Sequence, residues 1–196
     1  RDWSQYHKAK DMAAAVAIEA AELQEHFLWK THDESAEHLS KHGDEVAEEM
    51  ADIAVALAAK ARQMGHTPRV AILSFTNFGN PESRTSVEAR RTVEILQSRD
   101  VGFEFDGEMT GDIALDYDLM KSRYPFCNLT GPANILVMPG LHSANISFKL
   151  VHQLGNVSVI GPIMIGGAHP FQIVQMGASV SDIVQSAVLA AHDAIR

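Results

Sequence analysis

The spacing of apolar residues changes near residue 65 and divides this sequence into two regions. From Arg1 to about Met64, apolar residues recur every three or four positions among Ala, Glu and Lys, which favours helix. After Gly65, short runs of β-branched residues alternate with helical spacing, which indicates strands joined by helices. Because 12 of the 13 glycines and all 7 prolines lie in this second region, we expect its elements to be short.

The spacing also places the individual elements. We predict helices at 10–29 and 44–63, then strands at 69–75, 102–105, 134–138 and 157–160, with helices at 83–98, 112–122, 143–154 and 180–195. A strand followed by a crossover helix and another strand is typical of a mostly parallel sheet with flanking helices. The predicted fold class is therefore α/β, preceded by an all-α segment.

Charge and cysteine content narrow the function classes. The net charge is −9, with 13 acidic and 7 basic residues before residue 65, so we expect neither a nucleic-acid polymer nor an anionic membrane as partner. Cys127 is the single cysteine and no apolar run approaches a membrane span, which favours a cytoplasmic protein. Small molecules and other protein chains remain as expected partners.

Four carboxylates in the first region have the spacing of a cation site. Glu19 and Glu22 share one face of a predicted helix, and Glu49 and Asp52 repeat the arrangement on a second helix. If the two faces packed together, Mg²⁺ would be the natural ligand, because it prefers oxygen donors. From spacing alone, acidic residues in this pattern are more often an ordinary solvated helix face.

The first region also carries a family resemblance. Residues 1–7 (RDWSQYH), 19–29 (EAAELQEHFLW) and 48–53 (EEMADI) resemble the MazG-like all-α nucleoside triphosphate pyrophosphohydrolases, particularly the dCTP pyrophosphatase branch. The resemblance implies Mg²⁺ held by the four carboxylates, with Glu22 as a catalytic candidate. It also implies nucleotide contacts from Trp3, His7 and Trp29, although either tryptophan is explained as well by a core position.

The second region resembles a different family. Its residues 69–79 (RVAILSFTNFG), 106–109 (DGEM), 131–146 (GPANILVMPGLHSANI) and 161–167 (GPIMIGG) are similar to the C-terminal half of phosphate acetyl/butyryltransferases, and most similar to the domain at the end of NADP-dependent malic enzymes. This implies a phosphotransacetylase-like fold and acetyl-CoA as ligand. Neither a Walker motif nor a dinucleotide fingerprint occurs, so we expect no NADP site.

Polar and glycine positions in the loops are the ligand candidates. A helix start favours an anion, and glycine lets the backbone approach a ligand closely. The candidates for acyl-CoA or phosphate binding are Ser74, Asn77, Ser143, Asn145, Gly161, Gly166, Gly167 and Gly177. Ordinary turns and helix caps would explain the same residues.

One departure from the family pattern concerns catalysis. Active phosphotransacetylases carry Ser-Arg-Gly before the last helix and an Asp five residues later, where this chain has Gln175, Met176, Gly177 and Asp182. A methionine cannot hold phosphate as an arginine does, so the resemblance implies a regulatory, acetyl-CoA-sensing and oligomerising role instead of transfer. Asp182, the second catalytic candidate, is also explained by the first turn of a helix.

The two resemblances together predict a fusion. We expect a helical domain at 1–58 and an α/β domain at 59–196, in a homo-oligomer. Acyl-CoA binding is the expected function, and Mg²⁺-dependent pyrophosphohydrolysis of a nucleotide such as dCTP is the alternative. His38 and His42, four residues apart, are better explained by a polar connector than by a metal site.

Overall fold

The computed structural model describes residues 30–81, 83–155, 159–165, 169–174 and 176–195, together with His26. The described residues fall into two compact units, which divide between Ala144 and Asn145. The predicted helix at 10–29 lies outside the described residues, apart from His26.

Helix α1, His32–Gln63, begins twelve residues before the predicted start at residue 44. Thr31 closes its first turn with a capping box, in which its backbone N–H donates to the Glu34 carboxylate at 2.7 Å. A kink at His42, with φ −126° and ψ 22°, precedes Gly43 and separates the two halves of the helix. The predicted boundary therefore coincides with a bend rather than with a helix start.

A three-stranded parallel sheet follows α1. Its strands are β1 (Arg69–Leu73), β2 (Glu104–Met109) and β3 (Ile135–Val137), in the order β2-β1-β3. Helix α2 (Arg84–Ser98) connects β1 to β2, and the short helices α3 (Gly111–Leu115) and α4 (Tyr117–Arg123) connect β2 to β3. The prediction of an α/β fold with a parallel sheet and flanking helices is confirmed.

Two predicted boundaries in this unit are wrong because of hydrogen bonds made by acidic side chains. Strand β2 begins two residues later than predicted and extends through Asp106 and Glu108, because both carboxylates accept hydrogen bonds inside the fold. The predicted helix at 112–122 is two helices, since the Asp116 side chain accepts from the Leu119 N–H at 2.9 Å and starts a new helix there.

Each face of the sheet carries its own apolar core. One core packs α1 and α2 against β1 and β3, and the other packs α3 and α4 against the opposite face of β1. Ile72 and Leu96 are fully buried in the first core, and Met109 and Met120 in the second. Each such side chain stabilises the unit by about 1.5–3 kcal/mol relative to an exposed one.

The described residues of the second unit form two helices, α5 (Leu141–Leu154), whose first four residues belong to the first unit, and α6 (Val180–Ala194). Of the predicted strand at 157–160, residues 159 and 160 lie in no strand and the other two fall outside the described residues. A strand needs a hydrogen-bonded neighbour, and the described residues after 145 include none. No helix in the described ranges has the length and apolar character to cross a bilayer.

Candidate functional site

The loop after β1 lies at the carboxyl edge of the sheet, where parallel α/β sheets bind their ligands. The Ser74 N–H donates to the Met109 carbonyl at 2.9 Å, so the loop stays beside β2 as it leaves β1. Thr76 is buried, and its hydroxyl oxygen lies 3.1 Å from the Ser74 hydroxyl, within hydrogen-bond distance. The predicted residue Ser74 is thus part of an ordered turn at this edge.

Glu108, near the end of β2, holds this loop through hydrogen bonds to its carboxylate. One carboxylate oxygen, Oε1, accepts from the Thr76 hydroxyl and from the Gly79 N–H, each at 2.8 Å. The Arg90 guanidinium lies 3.6 Å from the same oxygen. The second oxygen, Oε2, is buried and has no hydrogen-bond partner among the described residues. A fully buried carboxylate therefore connects the loop, β2 and α2 through a single oxygen.

Gly79 is required by this arrangement. Its φ of +92° is favourable only for glycine. A Cβ built at this position would lie 3.1 Å from Nη1 of Arg90, which is tighter than ordinary contact. The glycine thus lets its own N–H and the Arg90 guanidinium approach Glu108 from the same side.

Asn77, in the middle of the same loop, connects the loop to Thr110, the residue that follows β2. Its side-chain carbonyl accepts from the Thr110 N–H at 2.8 Å and from the Thr110 hydroxyl at 3.1 Å. Backbone hydrogen bonds of 3.1 Å run in both directions between Asn77 and Asn80. Since the carbonyl is engaged, the Asn77 amide nitrogen is the group that this side chain can offer to a ligand.

The loop after β3 brings Ser143 to the same edge, because the carboxyl ends of parallel strands meet there. The Ser143 hydroxyl donates to the Gly140 carbonyl at 2.7 Å in the first turn of α5. The structure therefore brings Ser74, Asn77 and Ser143 to one edge of the first unit. Asn145 is exposed and belongs to the second unit.

The remaining acyl-CoA candidates lie in the second unit. Gly161 and Gly177 have φ of +142° and +89°, so both occupy backbone conformations that suit glycine. Met176, where the family resemblance expects arginine, is fully exposed. Gly166, Gly167 and Gln175 lie outside the described residues.

Asp182 closes the capping box at the start of α6. Its carboxylate accepts from the Ser179 N–H at 2.8 Å, and its own N–H donates to the Ser179 hydroxyl at 3.2 Å. Hydrogen bonds from the Ser179 hydroxyl and backbone N–H lower the pKa of Asp182 below its ordinary value. The residue thus has the role of a helix cap in this unit.

Most residues of the predicted nucleotide site fall outside the described part of the chain, namely Trp3, His7, Glu19, Glu22 and Trp29. The other two candidates lie on α1, where Glu49 is half-buried and Asp52 accepts from the Arg99 guanidinium at 2.5 Å. This ion pair connects α1 to the end of α2. The Mg²⁺ site stays a prediction.

Three histidines lie close together beside the first part of α1, before and at its kink. Nδ1 of His26 lies 2.8 Å from Nε2 of His38, and the rings of His38 and His42 stack with centroids 4.3 Å apart. Burial, together with the charges of Lys30 and the two neighbouring imidazoles, lowers the pKa of His38. No group of three or more His, Cys, Asp or Glu side chains in the described ranges is arranged to hold a metal ion.

A depression of about 410 Å³ lies at the opposite, amino edge of the sheet. Arg62, His66 and Phe103 line it, and the Arg62 guanidinium donates to the Gly102 carbonyl and lies over the Phe103 ring. Because the guanidinium is held by these two contacts within the fold, we assign the candidate site to the carboxyl edge instead.

Sequence reasoning missed the residues that anchor the site. Thr76, Glu108 and Thr110 hold the loop, but only Ser74 and Asn77 were predicted from this part of the chain. The available signal was the DGEM string, in which a carboxylate stands beside glycine after a strand. The hydrogen-bond donors to this carboxylate come from the neighbouring loop. The string by itself does not identify those donors.

Comparison with known proteins identifies the family to which the chain is similar. A family model described as phosphate acetyl/butaryl transferase matches residues 44–191. The chain is 46% identical over 153 residues to the NADP-dependent malic enzyme of Rhizobium meliloti, and this match covers 78% of the chain and 20% of that enzyme. It is 39% identical over 141 residues to the phosphate acetyltransferase of Treponema pallidum, covering 70% of the chain and 42% of that enzyme.

Solved structures agree with these matches. A phosphotransacetylase from Streptococcus pyogenes superposes with a TM-score of 0.70 at 33% identity, covering 76% of this chain and 45% of that one. The chain therefore spans about a fifth of the length of the malic enzymes it matches, and less than half of the phosphotransacetylases. The region is homologous to the C-terminal part of NADP-dependent malic enzyme.

Proposed function

The chain belongs to the phosphate acetyl/butaryl transferase family, and we propose that it is an acyl-CoA-binding, regulatory and oligomerising domain of the malic-enzyme type. We propose further that it does not catalyse acyl transfer to phosphate. The observation that carries the proposal is the substitution at residues 175 and 176 in a chain that otherwise matches the family from residue 44 to residue 191.

The carboxyl edge of the sheet, with the loop after β1 held by Glu108, supports the proposal of ligand binding. Acyl-CoA carries phosphate groups, and hydrogen-bond donors at the carboxyl edge of a parallel sheet suit such an anion. Here the Asn77 amide nitrogen and the first turn of α5 supply the donors. Glu108, Thr76 and Thr110 fix the loop before any ligand arrives, which reduces the entropy lost on binding.

Methionine at position 176 supports the absence of transfer. A guanidinium binds phosphate through two parallel charged hydrogen bonds, whereas a thioether is uncharged and is at most a weak acceptor. The Met176 side chain extends into solvent without contacts that would replace the missing charge. Asp182 accepts hydrogen bonds within its own capping box, so its carboxylate acts in folding the helix.

Titration of the purified chain with acetyl-CoA tests the binding function. Asn77→Asp keeps the acceptor for Thr110 but replaces the amide donor with a negative charge, and we expect affinity to fall at least tenfold. Asn134→Asp is the matched control, because Asn134 likewise accepts a backbone hydrogen bond, from Arg69, at the opposite edge of the sheet. We expect its affinity within twofold of wild type.

Absence of binding by the wild-type chain overturns the acyl-CoA proposal. An equal loss of acetyl-CoA affinity in both variants would place the ligand elsewhere. The loss would then come from the added negative charge in general and not from a contact with Asn77. A parallel titration with a nonhydrolysable dCTP analogue and Mg²⁺ tests the alternative function. Binding of this analogue without binding of acetyl-CoA would favour the nucleotide site over the acyl-CoA site.

An acetyl-transfer assay with acetyl-CoA and phosphate tests the absence of catalysis. We expect no turnover by the wild-type chain. In the double variant Gln175→Ser, Met176→Arg we expect phosphate to bind about tenfold more tightly, because one charged hydrogen-bonding partner contributes about 1.5–3 kcal/mol. Met176→Leu is the neutral control and should leave phosphate affinity unchanged. Turnover by the wild type contradicts the proposal.

A further inference from the structure

The three imidazoles beside the first part of α1 are in mutual contact, and we call His26, His38 and His42 the histidine cluster. Nδ1 of His26 lies 2.8 Å from Nε2 of His38, which is hydrogen-bond distance. The rings of His38 and His42 stack with centroids 4.3 Å apart, and those of His26 and His42 are 6.4 Å apart. The cluster thus joins a residue that precedes α1 to two successive turns of the helix.

The short contact between His26 and His38 has room for only one proton between the two nitrogens. A neutral imidazole carries a proton on one ring nitrogen, and its other nitrogen accepts a hydrogen bond. An imidazolium carries a proton on both nitrogens, so two charged rings would place two N–H groups against each other at 2.8 Å. The contact therefore requires that at least one of the two rings is neutral.

The charged groups around the cluster oppose its full protonation. Burial, together with the charges of Lys30 and of the two other imidazoles, lowers the pKa of His38 below its ordinary value of 6.5. Glu45 is the acid that acts in the opposite direction, and its exposed carboxylate lies 3.0 Å from Nδ1 of His42. Three imidazolium rings and Lys30 would place four positive charges beside this one carboxylate.

The first part of α1 depends on contacts of this kind. The kink at His42 separates residues 32–41 from the rest of the helix. The first described residue of the chain that belongs to an apolar core is Val46, which lies beyond the kink. A helix as short as 32–41 is below the roughly 12–15 residues that an isolated helix needs in water. Loss of the contact with His26 is therefore expected to loosen this part of α1.

We propose that the histidine cluster is a pH-sensitive switch, which holds His26 against the first part of α1 at neutral pH and releases it upon acidification. Histidine is the side chain that ordinarily changes charge near neutral pH. Because the pKa of His38 is lower in the folded chain than in a released one, the released form binds the proton more readily. Acidification below pH 6.5 therefore favours release.

The switch goes beyond the proposed ligand binding and does not depend on it. All three histidines precede residue 44, at which the match to the family model begins. The carboxyl edge of the sheet, where acyl-CoA is proposed to bind, contributes no residue to the cluster. Acetyl-CoA binding and the switch can therefore fail separately.

Hydrogen exchange of the full chain tests the switch, with protection factors corrected for the intrinsic exchange rate at each pH. Between pH 7.5 and pH 5.5, we expect the protection of the amides at 36–41 to fall at least tenfold. The amides at 46–58 lie in the part of α1 that contributes to the first core, and their protection should change less than twofold.

Two variants determine whether the histidine cluster causes this loss. His38→Gln keeps a side chain that donates and accepts hydrogen bonds but cannot gain a charge, so the fall in protection should disappear. His66→Gln is the matched control, because it removes an exposed histidine beyond the end of α1. We expect this control to lose protection on acidification as the wild type does.

NMR of the wild-type chain gives a second readout that needs no variant. The ring centroids of His26 and His38 are 5.1 Å apart, so a nuclear Overhauser effect between their ring protons is expected at pH 7.5 and should be lost at pH 5.5. The proposal is overturned if this effect is absent at pH 7.5 or persists at pH 5.5, or if the protection at 36–41 does not fall. A fall in His38→Gln equal to that in wild type also overturns it. If His38→Gln already lacks protection at pH 7.5, the wild-type Overhauser effect decides.

Discussion

Helices α2 and α6 each have 15 residues and each is amphipathic, yet α2 contributes side chains to a buried core, whereas no residue of α6 is buried. The difference lies in their neighbours. Helix α2 crosses between two adjacent parallel strands, so the sheet and α1 cover its apolar face. Helix α6 follows a segment in which the described residues form no strand, so these residues supply no sheet for it to pack on. An amphipathic pattern thus guarantees a helix with a face to bury, but not a surface that buries it.

The largest expected difference concerns truncation of an apolar side chain in each unit. Ile72→Ala empties a fully buried position in β1 and should lower the free energy of unfolding by about 3–4 kcal/mol. Leu150→Ala, on the exposed face of α5, should change it by less than about 0.5 kcal/mol. Urea unfolding followed by circular dichroism measures both. A loss above about 1 kcal/mol for Leu150→Ala would show that α5 is covered after all.

The next effect concerns the loop anchor in the first unit. Thr76→Val removes the hydroxyl that donates to Glu108 and leaves a buried carboxylate with one donor fewer, which should destabilise the unit by about 1–3 kcal/mol. Hydrogen exchange of the Gly79 amide should accelerate in the same variant. Thr76→Ser keeps the hydroxyl and serves as the control. Unchanged exchange at Gly79 would mean that the loop does not depend on this anchor.

A smaller effect is expected for the ion pair between α1 and α2. In a double-mutant cycle with Asp52→Asn and Arg99→Gln, we expect a coupling of about 0.5–1 kcal/mol, because both side chains are partly shielded from water. The pair Glu37 and Lys41 is the exposed control, for which coupling should be within experimental error. If Asp52 is a Mg²⁺ ligand, added Mg²⁺ should weaken the coupling, and a constant value would contradict that assignment.

The smallest effect concerns local order in the second unit. Because hydrogen bonds from Ser179 lower the pKa of Asp182, NMR should show a titration midpoint below the ordinary 3.8. A lowered pKa means that the capping box stabilises α6 above pH 3.8 and that this contribution is lost as the pH falls through the midpoint. Ser179→Ala should move the midpoint back toward 3.8, whereas Ser181→Ala should not. An unshifted wild-type midpoint would contradict the capping box.

Local patterns predicted the elements well where the elements depend on local bonds. The predicted helix at 180–195 agrees with α6 to within one residue, because Ser179 and Asp182 cap it from within its own first turn. The predicted strand at 69–75 shares its start with β1. The predicted strand at 157–160 is wrong for residues 159 and 160, since strand formation depends on a neighbour that the described residues do not supply.

The candidate site was predicted in part, for a similar reason. Asn77 and Ser143 were predicted as ligand candidates because they follow strands, and the order of the sheet brings those strand ends together. Glu108 was missed, because its importance comes from Thr76 and Gly79, which lie about thirty residues earlier in the chain. No spacing rule connects residues whose contact depends on two parallel strands lying side by side.

The sequence by itself determined the α/β class, the bounds of α2, α5 and α6 to within two residues, and the methionine at position 176, where the family resemblance implies arginine. These depend on periodicity, on caps and on residue identity, all of which act over a few neighbouring residues. Only the tertiary structure decided that Glu108 holds the β1–α2 loop, that Asp52 pairs with Arg99, and that Val180, Val184 and Val188 of α6 are exposed. Those outcomes depend on which distant surfaces meet, and a buried charge or an uncovered apolar face has no local signature in the chain.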